Sequence, residues 1–261
     1  MNNKKEKFAR FGIATKGFVY CLIGGLTAMA AFGAGGKKTG SSGALEFLSS
    51  QTYGQILLVI TALGLLGFVF WRLYQTFADP EDKGNDAKGI FRRMGYFSSG
   101  VFYGLLTYTA IKTVAGSGSD SGGGKESLVN TLLSESYGQI LVGILGVIFL
   151  CKAGYQLYRA YSGKFKNKVN ESGLGRKARE LVLKSGQIGY TARGVVIGII
   201  SFLTFKAAFS ANSNQAGGTE DAFGFIQNEF GAIVLAVVAI GLLAYGVFMF
   251  IKAKYRKMSG I

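Results

Sequence analysis

Three lysines stand inside stretches that are otherwise apolar: Lys112, Lys152 and Lys206. An ionisable side chain placed there is costly, and by default it marks a functional site. Lys112 and Lys206 occupy matching places, each 12 residues after a recurring glycine (Gly100 and Gly194), where the first copy of the pattern has Met29. With no carboxylate beside them they suit an anion or a lipid phosphate. Depth supplies the other reading. Lys112 lies 17 residues past Gly95, roughly 25 Å into a core of about 30 Å, so its amine can snorkel to the outer surface. Lys152 lies 14 residues past Gly138, roughly 21 Å from the outer side, and can snorkel inward.

Little else in the chain is reactive. It has no histidine, which removes the usual general base and the commonest metal ligand. The apolar stretches carry no Asp or Glu, so nothing is placed to activate Thr27, Ser98, Ser99, Thr107, Thr109, Thr191, Ser201 or Thr204. Cys21 and Cys151 are 130 residues apart, outside any ligand-spaced cluster, and are expected to be small apolar residues. The run Gly122-Gly123-Gly124-Lys125 lacks the first glycine of a phosphate loop. The sequence therefore predicts no catalytic residue, no metal site and no cofactor: the chain is not expected to be an enzyme.

The elements that carry these residues come in triplicate. Gly12 and Gly17 return as Gly95 and Gly100, then as Gly189 and Gly194. A later landmark, Tyr53-Gly54, returns as Tyr137-Gly138 and Phe230-Gly231. From first glycine to landmark glycine the offsets are 42, 43 and 42. Repetition at a fixed period decides architecture. Each unit holds two long apolar stretches, which predicts spans at about 13–33, 54–76, 95–115, 138–160, 189–210 and 231–251. The expected fold is all-α: a six-span transmembrane bundle, one integral membrane domain over 1–261, with repeat units at about 8–80, 90–162 and 184–258.

The 40 glycines and a charged fraction of only 16% suit such a bundle. A net charge of +15 raises the question of nucleic acid, but its distribution answers it. Of 29 Lys and Arg, 24 flank one side of the spans when Lys16, Lys152 and Arg193 are counted at that side, three (Lys37, Lys38, Lys125) flank the other, and Lys112 and Lys206 lie within spans. Positive loops stay inside, so both termini are expected in the cytoplasm. The basic loops would attract anionic lipid head groups rather than nucleic acid. Arg176 to Lys184 reads either as a short interfacial amphipathic helix or as a solvated loop.

Because each unit has two spans, the three units share one orientation, and a pseudo-threefold arrangement about the membrane normal follows. Gly100 with Gly104, and Gly194 with Gly198, put small residues four apart on one helix face; Gly17 and Cys21 hold those places in the first unit. Such residues let backbones approach and are expected at helix seams. On the second helices Gly67, Cys151 and Ala244 are each followed four residues later by Trp71, Tyr155 and Phe248, a packing position and an aromatic belt. Tyr53, Tyr137 and Phe230 are expected at the outer interface. Short interfacial helices are expected before each landmark glycine, as at Ala44-Leu45-Glu46-Phe47-Leu48.

The triple two-span repeat, the Ala9-Arg10-Phe11-Gly12 opening, the Tyr190-to-Val196 stretch and the aromatic-glycine restart resemble the bacterial membrane family catalogued as domain of unknown function 1206. The resemblance covers about residues 8–255 and implies the repeat fold and a bacterial inner membrane. It implies no activity. A non-catalytic scaffold, or a subunit of an unidentified membrane protein partner, is the leading expectation. The alternative is a channel or small transporter with an anion or lipid-phosphate site at Lys112 and Lys206.

Overall fold

A chain segment deprived of water must satisfy its own backbone, and a helix does so within a single segment. In the computed structural model, residues 3–80, 82, 84–115, 133, 137–162, 176–212 and 215–255 are described. Among them there are seven long helices and no strand: α1 (Asn3–Ala31), α2 (Ser41–Ser49), α3 (Gly54–Phe77), α4 (Ala87–Val114), α5 (Gly138–Tyr161), α6 (Arg176–Ser210) and α7 (Thr219–Tyr255). The glycine-lysine run at 122–125, most of the second unit's outer loop and the 163–175 loop lie outside the described residues.

Five helices are long and apolar enough to cross a membrane: Glu6–Ala31, Gly54–Phe77, Gly138–Tyr161, Arg179–Ser210 and Thr219–Tyr255. The exception is α4. It has 28 residues, but Ser98, Ser99, Thr107 and Thr109 and several tyrosines dilute its apolar content. Asp86 caps its start, accepting a 2.9 Å hydrogen bond from the Gly89 amide.

The landmark glycines start second helices in two ways. Tyr53 and Tyr137 sit just before α3 and α5 with nearly the same backbone, φ −108° at both. At the third landmark the preceding short helix and the span are merged, and Gly231 takes φ 83° at the kink between them. That value suits glycine and few other residues. The first unit's short helix stands alone as α2, held by buried Ala44, Leu45 and Leu48. Arg176 to Lys184 is neither a separate interfacial helix nor a loop. It continues into the apolar helix as the first turns of α6.

Neighbouring helices follow the order α4, α3, α1, α7, α6, α5, while α2 leans on α1, α3 and α4. The seams reuse repeat-equivalent residues. A Cβ at Gly17 of α1 would stand 2.8 Å from the Gly246 carbonyl oxygen of α7. One at Gly194 of α6 would stand 3.4 Å from the Ala153 carbonyl of α5, and one at Gly100 of α4 3.4 Å from Leu73 of α3. Gly198 has only the Ala153 Cβ, at 3.9 Å, and Gly104 has no described atom within 4 Å. Thus three of the five proposed packing glycines sit where two helices cross closely, and Gly104 does not.

Arginines fasten two of these seams at one end. Arg10 of α1 donates to the Ala253 carbonyl at 3.0 Å and to that of Lys254, both at the end of α7. Arg93 of α4 donates to the carbonyls of Thr76 (2.8 Å) and Phe77 (3.4 Å) at the end of α3. Arg10 and Arg93 hold the same repeat position, and so do Thr76 with Ala253 and Phe77 with Lys254. A cation on the unpaired carbonyls of a helix end is favourable twice, through the hydrogen bonds and the helix dipole. The third copy has Gln187 at the arginine position.

Within units the crossings differ. A Cβ at Gly189 of α6 would stand 2.6 Å from Tyr245 Cα of α7, and one at Gly12 of α1 would fall on the backbone of Gly67 and Phe68 in α3. Gly12 and Gly189 are equivalent, as are Phe68 and Tyr245. Their counterparts in the second unit are Gly95 and Lys152. Gly95 has no described atom within 4 Å, and α4 and α5 pack on each other over no appreciable length.

Candidate functional site

Lys16 lies midway along α1, 13 residues after Asn3, and is only 4% exposed. A helix that enters the bundle with one face against α3 and the other against α7 has nowhere to send that side chain but inward. Its Nζ stands 4.8 Å from the Tyr103 ring centroid, 4.9 Å from Phe68 and 5.9 Å from both Tyr20 and Tyr245. Those distances fall within cation–π range. Among the described residues it has no hydrogen-bond acceptor and no carboxylate. Four rings from α1, α3, α4 and α7 thus hold one ammonium away from water.

The ammonium is not the lone positive charge. Arg193, Arg72, Lys252 and Lys152 are near enough for their charges to act on it. Arg193 of α6 stacks over Tyr20 and Tyr245, each at 5.2 Å, and its Nη1 donates to the Tyr245 hydroxyl at 2.9 Å. Its buried Nε has no hydrogen-bond partner among the described residues. Arg72 of α3 lies over Phe68 (4.9 Å) and Tyr96 (5.2 Å) and donates to Gln75 Oε1 at 2.9 Å. Arg159 of α5 lies 4.7 Å over Tyr190. Lys152 reaches from α5 to the Phe102 ring of α4, at 5.7 Å.

A cavity of about 70 Å³ adjoins this cluster, with walls that include Tyr20, Phe102, Phe149, Lys152, Arg193 and Leu242. That is several times the roughly 10–15 Å³ one water requires. Among the described residues the lining contains Lys152 and Arg193 and no Asp or Glu. Cations gathered in a low dielectric repel one another strongly and are stable together only with compensating partners. Aromatic faces give part of that compensation.

The repeat explains why these side chains meet. Lys16, Ser99 and Arg193 share one repeat position; Tyr20, Tyr103 and Ile197 share a second; Phe68, Lys152 and Tyr245 share a third. All except Ser99 belong to the Lys16 cage or the cavity wall. The sequence marked Lys152 alone among the cluster. Lys112 and Lys206 are exposed on α4 and α6, outside the cavity lining, with the Lys112 amine 5.3 Å over the Tyr108 ring. Lys16 and Arg193 escaped notice because they sit near the charged ends of their apolar stretches and were counted with the flanking cations. The available signal was that both stand one residue before a repeat glycine. Of the repeated aromatics, Trp71 and Phe248 are buried and Tyr155 is exposed. Cys21 packs against Gly246, and a Cβ on that glycine would lie 2.5 Å from its sulfur.

Comparison with known proteins adds kinship without an activity. The family model described as Domain of Unknown Function (DUF1206) matches three times, at residues 11–79, 94–163 and 188–256. An uncharacterized protein of Bacillus subtilis (strain 168), YxxB, is 31% identical over 255 residues, 97% of this chain and 92% of its own length. No solved structure matches the chain.

Proposed function

The chain belongs to the DUF1206 family, and from that premise we propose that it is a non-catalytic, six-span protein of the bacterial inner membrane that binds an anion in the chamber around Lys16. The observation that carries this reading is the convergence of Lys16, Arg193 and Lys152 around a cavity whose described lining holds no Asp or Glu.

Six spans are supported by α4, whose 28 residues extend about 42 Å, enough to cross a bilayer core of about 30 Å. Pseudo-threefold order about the membrane normal is supported by the recurring seam glycines and the two equivalent arginine clasps. Cytoplasmic termini follow from 24 of 29 cations on one side. The absence of histidine from the whole sequence argues for binding over catalysis. A scaffold role is the second reading, favoured by the close α1–α7 seam. The gathering of cations around the cavity favours the anion site.

The test is thermal stability in detergent with inorganic phosphate added at constant ionic strength. Phosphate should raise the melting temperature of the wild type and lose that effect in Lys16→Gln and Lys152→Gln. No shift in the wild type, or an equal shift in all three, overturns the anion site. A reporter after Ile261 should be active in the cytoplasm and one at Ser119 should not; the reverse would overturn the topology.

A further inference from the structure

We propose that the chamber is gated at the end of the bundle that carries α2, by a latch between the Glu220 carboxylate and the Gly40 amide. The inference rests on the reading of the chamber as a binding site and adds how a solute is admitted to it.

The latch is a helix cap supplied by another unit. The first amides of a helix need acceptors from outside it, and α2 has no side-chain cap of its own and no acidic residue in its first turn. In the third unit Asp221 fills that need, accepting a 2.6 Å hydrogen bond from the Gly218 amide at the start of α7. The first unit has Ala44 at that repeat position. The Gly40 amide donates instead to Oε1 of Glu220, at 3.0 Å and 180 residues away. Gly43 leaves the room, since a Cβ there would stand 2.8 Å from the same oxygen. The second unit's counterparts of Gly40 and Gly43 lie outside the described residues.

The latch also forms part of the chamber wall. Ser41 and Thr219, next to Gly40 and Glu220, belong to the cavity lining, as do Ile200 and Arg193 of α6. Glu220 itself is exposed, so solvent lies on the other side of this rim. The apolar anchors lie further along each helix, at Ala44, Leu45 and Leu48 on α2 and at Ala222, Phe223 and Ile226 on α7. Both rim segments adjoin glycine joints. Gly33 and Gly35, ahead of α2, take φ 69° and 78°, and Gly231, after the short helix that begins α7, takes φ 83°. A Cβ at any of the three would have no described atom within 4 Å. Such positions absorb a change of backbone angle without meeting a neighbour. A hydrogen bond to an exposed carboxylate exchanges readily with water, so the rim parts before the apolar anchors do.

The test reads alkylation of a cysteine placed in the chamber. The full chain with Cys21→Ala, Cys151→Ala and Ile200→Cys is treated in detergent with iodoacetamide or iodoacetate, and the modified peptide is followed by mass spectrometry. Glu220→Ala should speed alkylation by iodoacetamide about tenfold, the scale of a lost hydrogen bond to a charged group. Glu180→Ala, on the exposed start of α6, should leave the rate as it was. Adding Gly40→Cys and Thr219→Cys gives the converse. A Cβ at Gly40 would stand 3.2 Å from that of Thr219, a few tenths of an ångström short of the usual disulfide pair. Oxidation should therefore tie the rim and slow alkylation of the chamber cysteine below the parent rate. An unchanged rate in Glu220→Ala, or in the oxidised pair, overturns the gate. Preference for iodoacetate over iodoacetamide, each relative to its rate with free cysteine, reads the anion site separately. That preference without an effect of the latch leaves the anion site and removes the gate. A latch effect equal for both reagents keeps the gate and removes the anion.

Discussion

Among the described residues, the first and third units bring their two long helices together at a glycine, and the second does not. All three have the same glycine at the crossing, yet in the second the opposing residue is Lys152 instead of Phe68 or Tyr245. An aromatic side chain at that position turns into the cage and lets its backbone rest on the glycine. A lysine brings a further cation toward Lys16 and Arg193. The comparison teaches that a difference in packing between repeats accompanies a change of residue type at one repeated position, while the helices on either side keep their form.

Four experiments break or sharpen this contrast. The largest effect belongs to the closed crossings. Gly12→Leu and Gly189→Leu force a side chain into backbone and should leave little folded protein by size-exclusion chromatography, whereas Gly95→Leu should remain monodisperse. Loss of folding in all three would mean that the second unit is as tightly closed as the others. Next come the clasps. Arg10→Ala and Arg93→Ala should each cost about 1.5–3 kcal/mol, the range for hydrogen bonds to a charged group. Gln187→Ala should cost less than about 1 kcal/mol, and denaturant titration in mixed micelles would rank them.

Third, Lys152→Phe gives the second unit the residue type of its neighbours. Spin labels at Val101 and Ile148 should then report a shorter α4–α5 distance than in the parent chain; an unchanged distance would show that the lysine does not keep the unit open. Smallest of all, Lys112→Met and Lys206→Met should change thermal stability by no more than about 0.5 kcal/mol, as is usual at exposed positions. A larger loss would return attention to those lysines.

The repeat was legible because glycine spacing survives where other residues vary, and it placed Gly17, Gly100 and Gly194 at seams. The helices were legible because long apolar runs admit few alternatives. What the sequence left out was partnership between units. Arg10 reaches a carbonyl 243 residues away, and Lys16 is caged by rings from three other helices. A count of cations per loop records Lys16 and Arg193 as flanking charge, since depth along a helix says nothing about which neighbour fills the space beside it. Gly104 has no described atom within 4 Å, so its spacing from Gly100 has no matching contact among the described residues.

The most extensive pairing joins α1 to α7, the first helix to the last. On the ribosome α1 is made well before α7, so the surfaces around Gly17 and Gly24 lack their partner until α7 has followed. During that interval Lys16 lacks the ring of Tyr245, and Tyr20 lacks its edge-on neighbour, 4.8 Å away in the finished protein. Assembly therefore ends with the shielding of a charge, and a chain that stops before Tyr245 carries an uncovered lysine in the bilayer, the kind of flaw that membrane quality control can detect.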